Sequence, residues 1–214
     1  MDVEYNLTLV TPPAAEPLVL DEVKHYLRLD GIEDQAEDAY INTLITVSRE
    51  YCEEYQNRAY ITQIWELSLS SFPIEATDSL NDDVTKSVIE LPKGNLQKVN
   101  KFTYKDASGN ITEMMPDTDY ILTTRGILGR ISPPFGKIFP VCLLYPLDPI
   151  VINYTCGYGD DASKVPQRIK HAILLLISHW YENRMVINDL RGVNPEEISF
   201  AVTSLLQKDR ITVL

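Results

Sequence analysis

The sequence predicts an α+β fold: a mainly helical core of four helices with an inserted β-rich subdomain. Three observations predict it. Apolar residues recur at helical spacing near both ends of the chain, over residues 34–57 and again beyond Pro166. Between those stretches the period shortens to two, and turn residues become frequent. The composition, 44% hydrophobic and 23% charged over 214 residues, is that of a chain that buries a core without covalent staples. Residues 1–60 and 160–214 are expected to share one helical domain, with residues 61–159 as the β-rich insert.

Thr11-Pro12-Pro13-Ala14-Ala15-Glu16-Pro17 cannot be helical and reads as an extended arm. A short helix is expected over 20–29, stopped by Asp30-Gly31. Asp34 to Asn57 is the cleaner helix. Tyr40, Leu44, Val47, Tyr51 and Tyr55 share one side, widened by Ile41, Ile45 and Cys52. Asn42, Thr46, Arg49, Glu50 and Glu53 fill the other. Alternation over 64–71 predicts a strand, and further short strands are expected at 88–91, 99–104, 111–115, 120–123 and 150–155. Asp106-Ala107-Ser108-Gly109-Asn110 is a hairpin turn. Prolines 133, 134, 140, 146 and 149 make residues 132–149 an irregular connection or edge. Helical period resumes after Val165-Pro166, where Ile169, Ala172, Ile173, Leu176, Ile177 and Trp180 form one face. Leu174, Leu175 and Tyr181 extend the apolar cover, leaving a narrow polar stripe of Gln167, His171, Ser178 and Glu182. This helix is expected to be central and buried, Trp180 included. A last helix from Pro195 to about Asp209 turns Ile198, Val202, Leu205 and Leu206 to the core.

Lys and Arg number 19 against 31 Asp and Glu, a formal charge of −12. That balance disfavours a surface that wraps nucleic acid, which draws on clustered cations. It is compatible with a channel that DNA passes through without sticking. Cys52, Cys142 and Cys156 are odd in number, widely spaced and without a CxxC pair, so they read as reduced cysteines of a cytosolic fold. No apolar run approaches the ~20 residues of a membrane span, and the first residues lack a signal peptide's pattern, so no membrane is expected. On the same ground the N-x-T sequons at Asn6, Asn110 and Asn153 read as chance matches.

No catalytic, cofactor or metal residues are assigned. His171 and His179 lie eight apart, about 80° around a helix and two turns along it, which is not a ligand spacing. The acidic run Asp30, Glu33, Asp34, Glu37, Asp38 lacks the pattern of a calcium loop and suits a helix N-terminus instead. Gly157-Tyr158-Gly159 has too few glycines for a phosphate cradle and reads as a strand end. GxSxG is absent. Lys93, Lys98, Lys101 and Lys105 beside Phe102 and Tyr104 have the flavour of an RNA-reading sheet, without its full aromatic signature.

In order along the chain, several pieces resemble the head–tail connector (head completion, or adaptor) proteins of long-tailed phages and prophages. They begin with Leu9-Val10-Thr11-Pro12-Pro13 and Leu20-Asp21-Glu22-Val23-Lys24-His25-Tyr26-Leu27-Arg28. Ile41-Asn42-Thr43-Leu44-Ile45 follows, with Glu54-Tyr55 and Arg58, then Gln63-Ile64-Trp65-Glu66-Leu67. Leu91-Pro92 and Tyr104-Lys105-Asp106 with Gly109 fall in the insert. Val165-Pro166-Gln167-Arg168-Ile169-Lys170-His171-Ala172-Ile173 is the strongest piece, ending in Tyr181-Glu182-Asn183-Arg184; Leu205-Leu206 with Arg210 closes the series. The larger insert is similar to that of a longer subgroup.

The resemblance implies a structural virion protein with no active site. It would form a ring of about twelve copies beneath the portal protein, extend the DNA channel and offer a platform to a stopper or other tail-side neck protein. DNA would pass through without sequence-specific binding. Such a protein sits in the virion neck and is assembled in the bacterial host's cytoplasm. Twelve copies at −12 would bring roughly −144 to the ring. Two other readings stay open: another neck component, such as a stopper or tail terminator, and a small acidic enzyme or ligand-binding domain. The expected interface residues are Phe200, Arg210, Ile211, Val213 and Leu214. Phe200 lies roughly 160–200° around the last helix from Val202 and Ile198, off the core face and next to an apolar tail.

Overall fold

A computed structural model describes residues 5–73, 87–184 and 195–212, with side chains from residue 200 onward in the last segment. The chain divides into two compact units. One takes Pro13–Ile61 and the chain from Tyr158 onward; the other takes Thr62–Gly157 and the N-terminal segment up to Pro12.

The helical unit is built from α1 (Leu20–Tyr26), α2 (Gln35–Gln56), α3 (Gln167–Glu182) and α4 (Pro195–Leu206). Helix α3 is its centre: Ile169, Ala172, Ile173 and Ile177 are fully buried, and α2 and α4 both pack on it. The polar stripe behaves as its residue types require, with Gln167, His171 and Glu182 exposed and Ser178 partly so. Helix α2 starts at Asp34, whose Oδ1 accepts from the amides of Ala36 (2.9 Å) and Glu37 (3.4 Å). That bond satisfies donors a first turn leaves open. The helix stops at Asn57, which adopts the left-handed conformation at φ 55°. Helix α1 ends earlier than its sequence suggests, at Tyr26, with Arg28 left-handed just beyond.

Two side-chain placements differ from the sequence reading. Helix α2 is rotated, so that its buried stripe is Ile41, Ile45, Ser48 and Cys52, while Val47 and Tyr51 are exposed. Part of its supposedly polar side, Arg49 and Glu53, is also covered, because the arm following Pro13 runs against it. Leu18 is buried, and Glu16 reaches Thr46 (3.0 Å) and Arg49. Arg49 is only 5% exposed, with Nε 2.8 Å from Glu16 and Nη1 2.7 Å from Glu53. The other Glu53 oxygen accepts from the Tyr60 amide at 2.7 Å. Burial alone disfavours the Arg49 charge, but the two carboxylates outweigh it and raise its pKa. Second, Trp180 is half-buried at the end of α3, edge-on to Tyr51 at 6.0 Å, and not enclosed.

The other unit contains eight strands among the described residues, all antiparallel to their partners. They are β1 (Tyr5–Thr11), β2 (Gln63–Leu69), β3 (Ile89–Leu91), β4 (Leu96–Lys105), β5 (Ile111–Glu113), β6 (Ile121–Thr123), β7 (Gly129–Ser132) and β8 (Ile150–Cys156). They form a five-stranded sheet, β1-β2-β8-β4-β5, and a three-stranded sheet, β3-β7-β6. Register places Leu67 opposite Ile152 and Leu69 opposite Ile150, with Phe102 also opposite Ile152, so these apolar side chains share one face. Phe72, Phe102, Tyr120 and Phe139 close that core, Phe139 stacked on Phe72 at 4.9 Å. Residues 5–11 pair with β2, Leu7 opposite Leu67, so this segment belongs with the sheet and not with the helices it precedes. Strand β7 also lies outside the expected set. It begins at Gly129, where any Cβ would sit 2.3 Å from Leu96.

Leu176→Ala, at a buried α3 position, is expected to cost about 2–5 kcal/mol in urea unfolding. Trp180→Ala is expected to fall below the roughly 3–5 kcal/mol of an enclosed tryptophan, because its ring already meets solvent. Arg49→Ala strips the buried Glu53 carboxylate of its cation and is expected to cost about 3 kcal/mol. Wild-type unfolding midpoints for Leu176→Ala and Arg49→Ala would contradict this packing.

Candidate assembly surfaces

The polar residues that could suggest chemistry are occupied in holding the fold. His171 is exposed and edge-on to Tyr26, and His179 Nδ1 lies 3.2 Å from the side-chain Nδ2 of Asn183. Asp38 pairs with Lys24 at 2.8 Å, Asp34 caps α2, and Asp30 lies 3.1 Å from His25. Among the described residues no group of three His, Cys, Asp or Glu side chains could hold a metal ion. No helix there is long and apolar enough to cross a membrane.

Phe102 is turned into the core while Lys98 and Lys101 face outward, so the basic strand offers no aromatic platform for bases. A pocket of about 150 Å³ lies among Tyr104, Thr112, Glu113, Met114, Asp119, Lys137, Ile138 and Pro140. Its volume is half or less of the ~300 Å³ at which ligand sites begin. Its Asp119 is committed to the Met115 amide at 2.8 Å.

Exposed apolar side chains are the more informative feature. On the helical unit, Phe200 is 74% exposed on α4. Elsewhere on the unit, Val47 and Tyr51 stand out from α2, Tyr51 against Trp180. Tyr40 and Tyr181 lie 6.3 Å apart, and the Arg184 guanidinium sits 4.6 Å from each ring. Arg184 also pairs with Glu37. That ion pair and the Tyr181 hydroxyl hold the Glu37 carboxyl below its ordinary pKa, the Tyr181 bond acting most strongly.

The C-terminal segment, expected to be free for docking, is instead stitched to the end of α2. The Gln56 side-chain amide donates to the Leu206 carbonyl, and its backbone carbonyl accepts from the Ile211 amide at 2.9 Å. Gln56 Oε1 accepts from Tyr60 at 2.7 Å, leaving this fully buried side chain well satisfied. The Tyr55 hydroxyl donates to Gln207 at 2.9 Å, and Arg168 pairs with Asp209. Ile211 is therefore buried in its own unit, 7% exposed, and is removed from the expected interface. Arg210 is exposed, with its guanidinium 4.7 Å from the centre of the Tyr55 ring. Val213 and Leu214 lie outside the described residues. Periodicity could not find this stitch, because glutamine at position 56 reads as an ordinary polar helix end.

The head completion protein family matches this chain over residues 18–208, which spans both units. The chain belongs to the head completion protein family. Solved structures similar to this family member come from gene transfer agent particles. One is a chain from the neck of an empty particle, computed with C6 symmetry, at 23% identity and TM-score 0.73, covering 98% of this chain and 97% of that one. A second, from the virion of a native particle, has 24% identity and TM-score 0.72, with 97% of each chain covered. A third, from the neck of a native particle computed with C12 symmetry, has 22% identity and TM-score 0.63, covering 100% and 98%. No curated protein matches.

Gln56→Ala leaves the Leu206 carbonyl and the Tyr60 hydroxyl without their buried partner, at a cost of about 1–3 kcal/mol. Limited proteolysis is the sensitive readout: cleavage within 206–212 should be markedly faster than in wild type, with the rest of the chain protected. Equal cleavage rates would show that the segment is held by something else.

Proposed function

We propose that this head completion protein is a structural neck component that connects the DNA-filled head of a tailed phage or prophage to its tail. It works as a ring of about twelve copies beneath the portal protein. The observation that carries this reading is the family match across residues 18–208. Agreement of fold with neck chains of gene transfer agent particles along nearly the whole chain supports it. The role is architectural and not catalytic, a reading supported by the family and by the commitment of the titratable residues described above to caps and ion pairs.

The ring would continue the DNA channel. An excess of 31 acidic over 19 basic residues per chain suits a conduit, because like charge keeps passing DNA from adhering while salt limits the repulsion. The portal binds one side and a stopper or other tail-side neck protein the other, and the protein is assembled in the bacterial cytoplasm. The helical unit favours a connector over a stopper, which is expected to be mainly β. Phe200, Arg210, Val213 and Leu214 are proposed to meet the portal or a neighbouring subunit. The 74% exposure of Phe200 supports its place in that set.

Electron microscopy of the full chain with and without portal tests the reading. A hollow ring of about a dozen subunits, alone or on portals, is expected; a compact monomer under both conditions would overturn it. Phe200→Ala is expected to leave the melting temperature of the isolated chain nearly unchanged while weakening assembly by about 1–3 kcal/mol. Lost thermal stability with assembly intact would place Phe200 in the chain's own packing.

A further inference from the structure

The connection from β7 to β8, residues 133–149, combines two properties that rarely occur together. Its side chains are exposed and apolar: Phe135 is 97% exposed, Leu143 84%, Val141 79%, Leu147 78% and Ile138 68%. Its backbone is nevertheless anchored. The Ala107 amide donates to the Leu143 carbonyl at 2.8 Å and the Tyr145 amide to the Lys105 carbonyl at 3.0 Å. The Lys105 ammonium sits 3.6 Å from the centre of the Tyr145 ring, and Phe139 plugs the core against Phe72. Five prolines stiffen the segment further. A surface so fixed loses little entropy when it docks, and five large apolar side chains on one connection exceed the scattered exposure that needs no explanation.

Charge distinguishes the occupants. Each copy carries −12, so two copies repel over most of their surface. Residues 133–149 hold only Lys137 and Asp148 as charged groups, a balance of zero. Across the whole insert, residues 62–157, eight Lys and Arg meet eleven Asp and Glu, a balance of −3. Residues 13–61 and 158–214 hold 11 Lys and Arg against 18 Asp and Glu. The insert is thus the part of one copy best able to approach the helical unit of another.

A cyclic ring needs such a pair, since its contacts join two different surfaces of the same chain. The helical unit presents a fitting counterpart. Val47 and Tyr51 are exposed on α2 beside a half-buried Trp180, and Glu50 and Glu54 are exposed on the same helix.

We propose that the anchored apolar connection 133–149 of one copy docks on the Val47–Tyr51–Trp180 face of the next copy, forming the ring's subunit contact. This rests on the ring reading above, and it names the surfaces that make the ring.

Cys142 supplies the test, because it lies between Val141 and Leu143. It is the exposed cysteine of the three; Cys52 and Cys156 are buried, and burial pushes the Cys52 thiol up to about 12. The full chain, labelled in trace amount at Cys142 with a benzophenone maleimide and mixed with unlabelled protein, is assembled into rings, on portals where these are required, and irradiated. A product of twice 24.3 kDa is expected, with the cross-link mapped to α2 or the end of α3. In unlabelled wild type, Cys142 should react with a maleimide at least tenfold more slowly in rings than as monomer. Phe135→Ser with Leu143→Ser, and separately Tyr51→Ser, should each weaken self-association about 30-fold, the size of one hot spot, with melting temperature kept for the exposed-loop pair.

Rings in which Cys142 stays as reactive as in the monomer would overturn the proposal and spare the ring reading. Cross-links only to a protein of another mass, or to a copy of this chain outside α2 and α3, would do the same. Absence of rings with and without portal would sink both.

Discussion

Everything in this architecture depends on one closure: the two points where the chain leaves and re-enters the helical unit lie side by side. Within that unit the Tyr158 amide donates to the Tyr60 carbonyl at 3.0 Å, and Ile61 bridges Gly159. Within the sheet unit Gln63 pairs with Cys156, so the first strand of the insert and its last are hydrogen-bonded neighbours from their outer ends. An insert whose ends are already adjacent adds almost no loop-closure entropy to its host. Helices α2 and α3, more than a hundred residues apart in sequence, can therefore share a core as if joined by a short turn. Strand β8 then serves twice: it is the sheet's central strand between β2 and β4, and it delivers the chain back to α3.

The helical unit is secured by polar stitches at the ends of its elements, and those stitches explain where its charged residues went. Half-exposed Glu16, buried Arg49 and Glu53 and the Tyr60 amide form one series that ties the arm, α2 and the start of the insert's first crossing. Gln56 performs the same service for the C-terminal segment. Each is satisfied on both sides, the condition under which buried polar groups add specificity without a desolvation penalty left open. A ring subunit of the kind proposed above needs to keep its shape. Spending polar residues on internal ties, and leaving the free surface apolar in chosen places, is consistent with that need.

Much of the fold was legible from period alone. Among the described residues, the four helices, six of the eight strands and the Asp106 turn follow from spacing and turn chemistry. In that turn the Ser108 and Asn110 amides both donate to Asp106 Oδ1 at 2.9 Å. What period could not convey was which residue beside an apolar stripe would be covered. Val47 and Tyr51 look like core by angle, yet they are exposed; Arg49 and Glu53 look like surface, yet they are buried. The difference is made by an arm some thirty residues away, and a helical wheel contains no information about what will lie against it. Strand β1 escaped notice for a related reason. Tyr5, Leu7 and Leu9 alternate with Asn6 and Thr8, but a strand also needs a partner, and β2 lies sixty residues on, with Leu67 opposite Leu7.

By itself the sequence determined the class of fold, the order of its helices and of most of its strands, and the family, because local periodicity, turn residues and the order of short motifs are written in consecutive positions. It also placed Phe200 off the core face, since two residues along a helix suffice to turn a side chain away. Only the tertiary structure decided the fate of the C-terminal segment. Ile211 is apolar and near the end of the chain, which from sequence reads equally well as a tail seeking a partner. The backbone carbonyl of Gln56 accepts from its amide, and its side chain is buried in the chain's own unit. Likewise the proline-rich stretch before β8 reads as mere irregularity until its anchors are seen. Irregular backbone held by long-range hydrogen bonds and a stacked phenylalanine is a rigid surface, and rigidity of that kind arises from contacts distant in sequence.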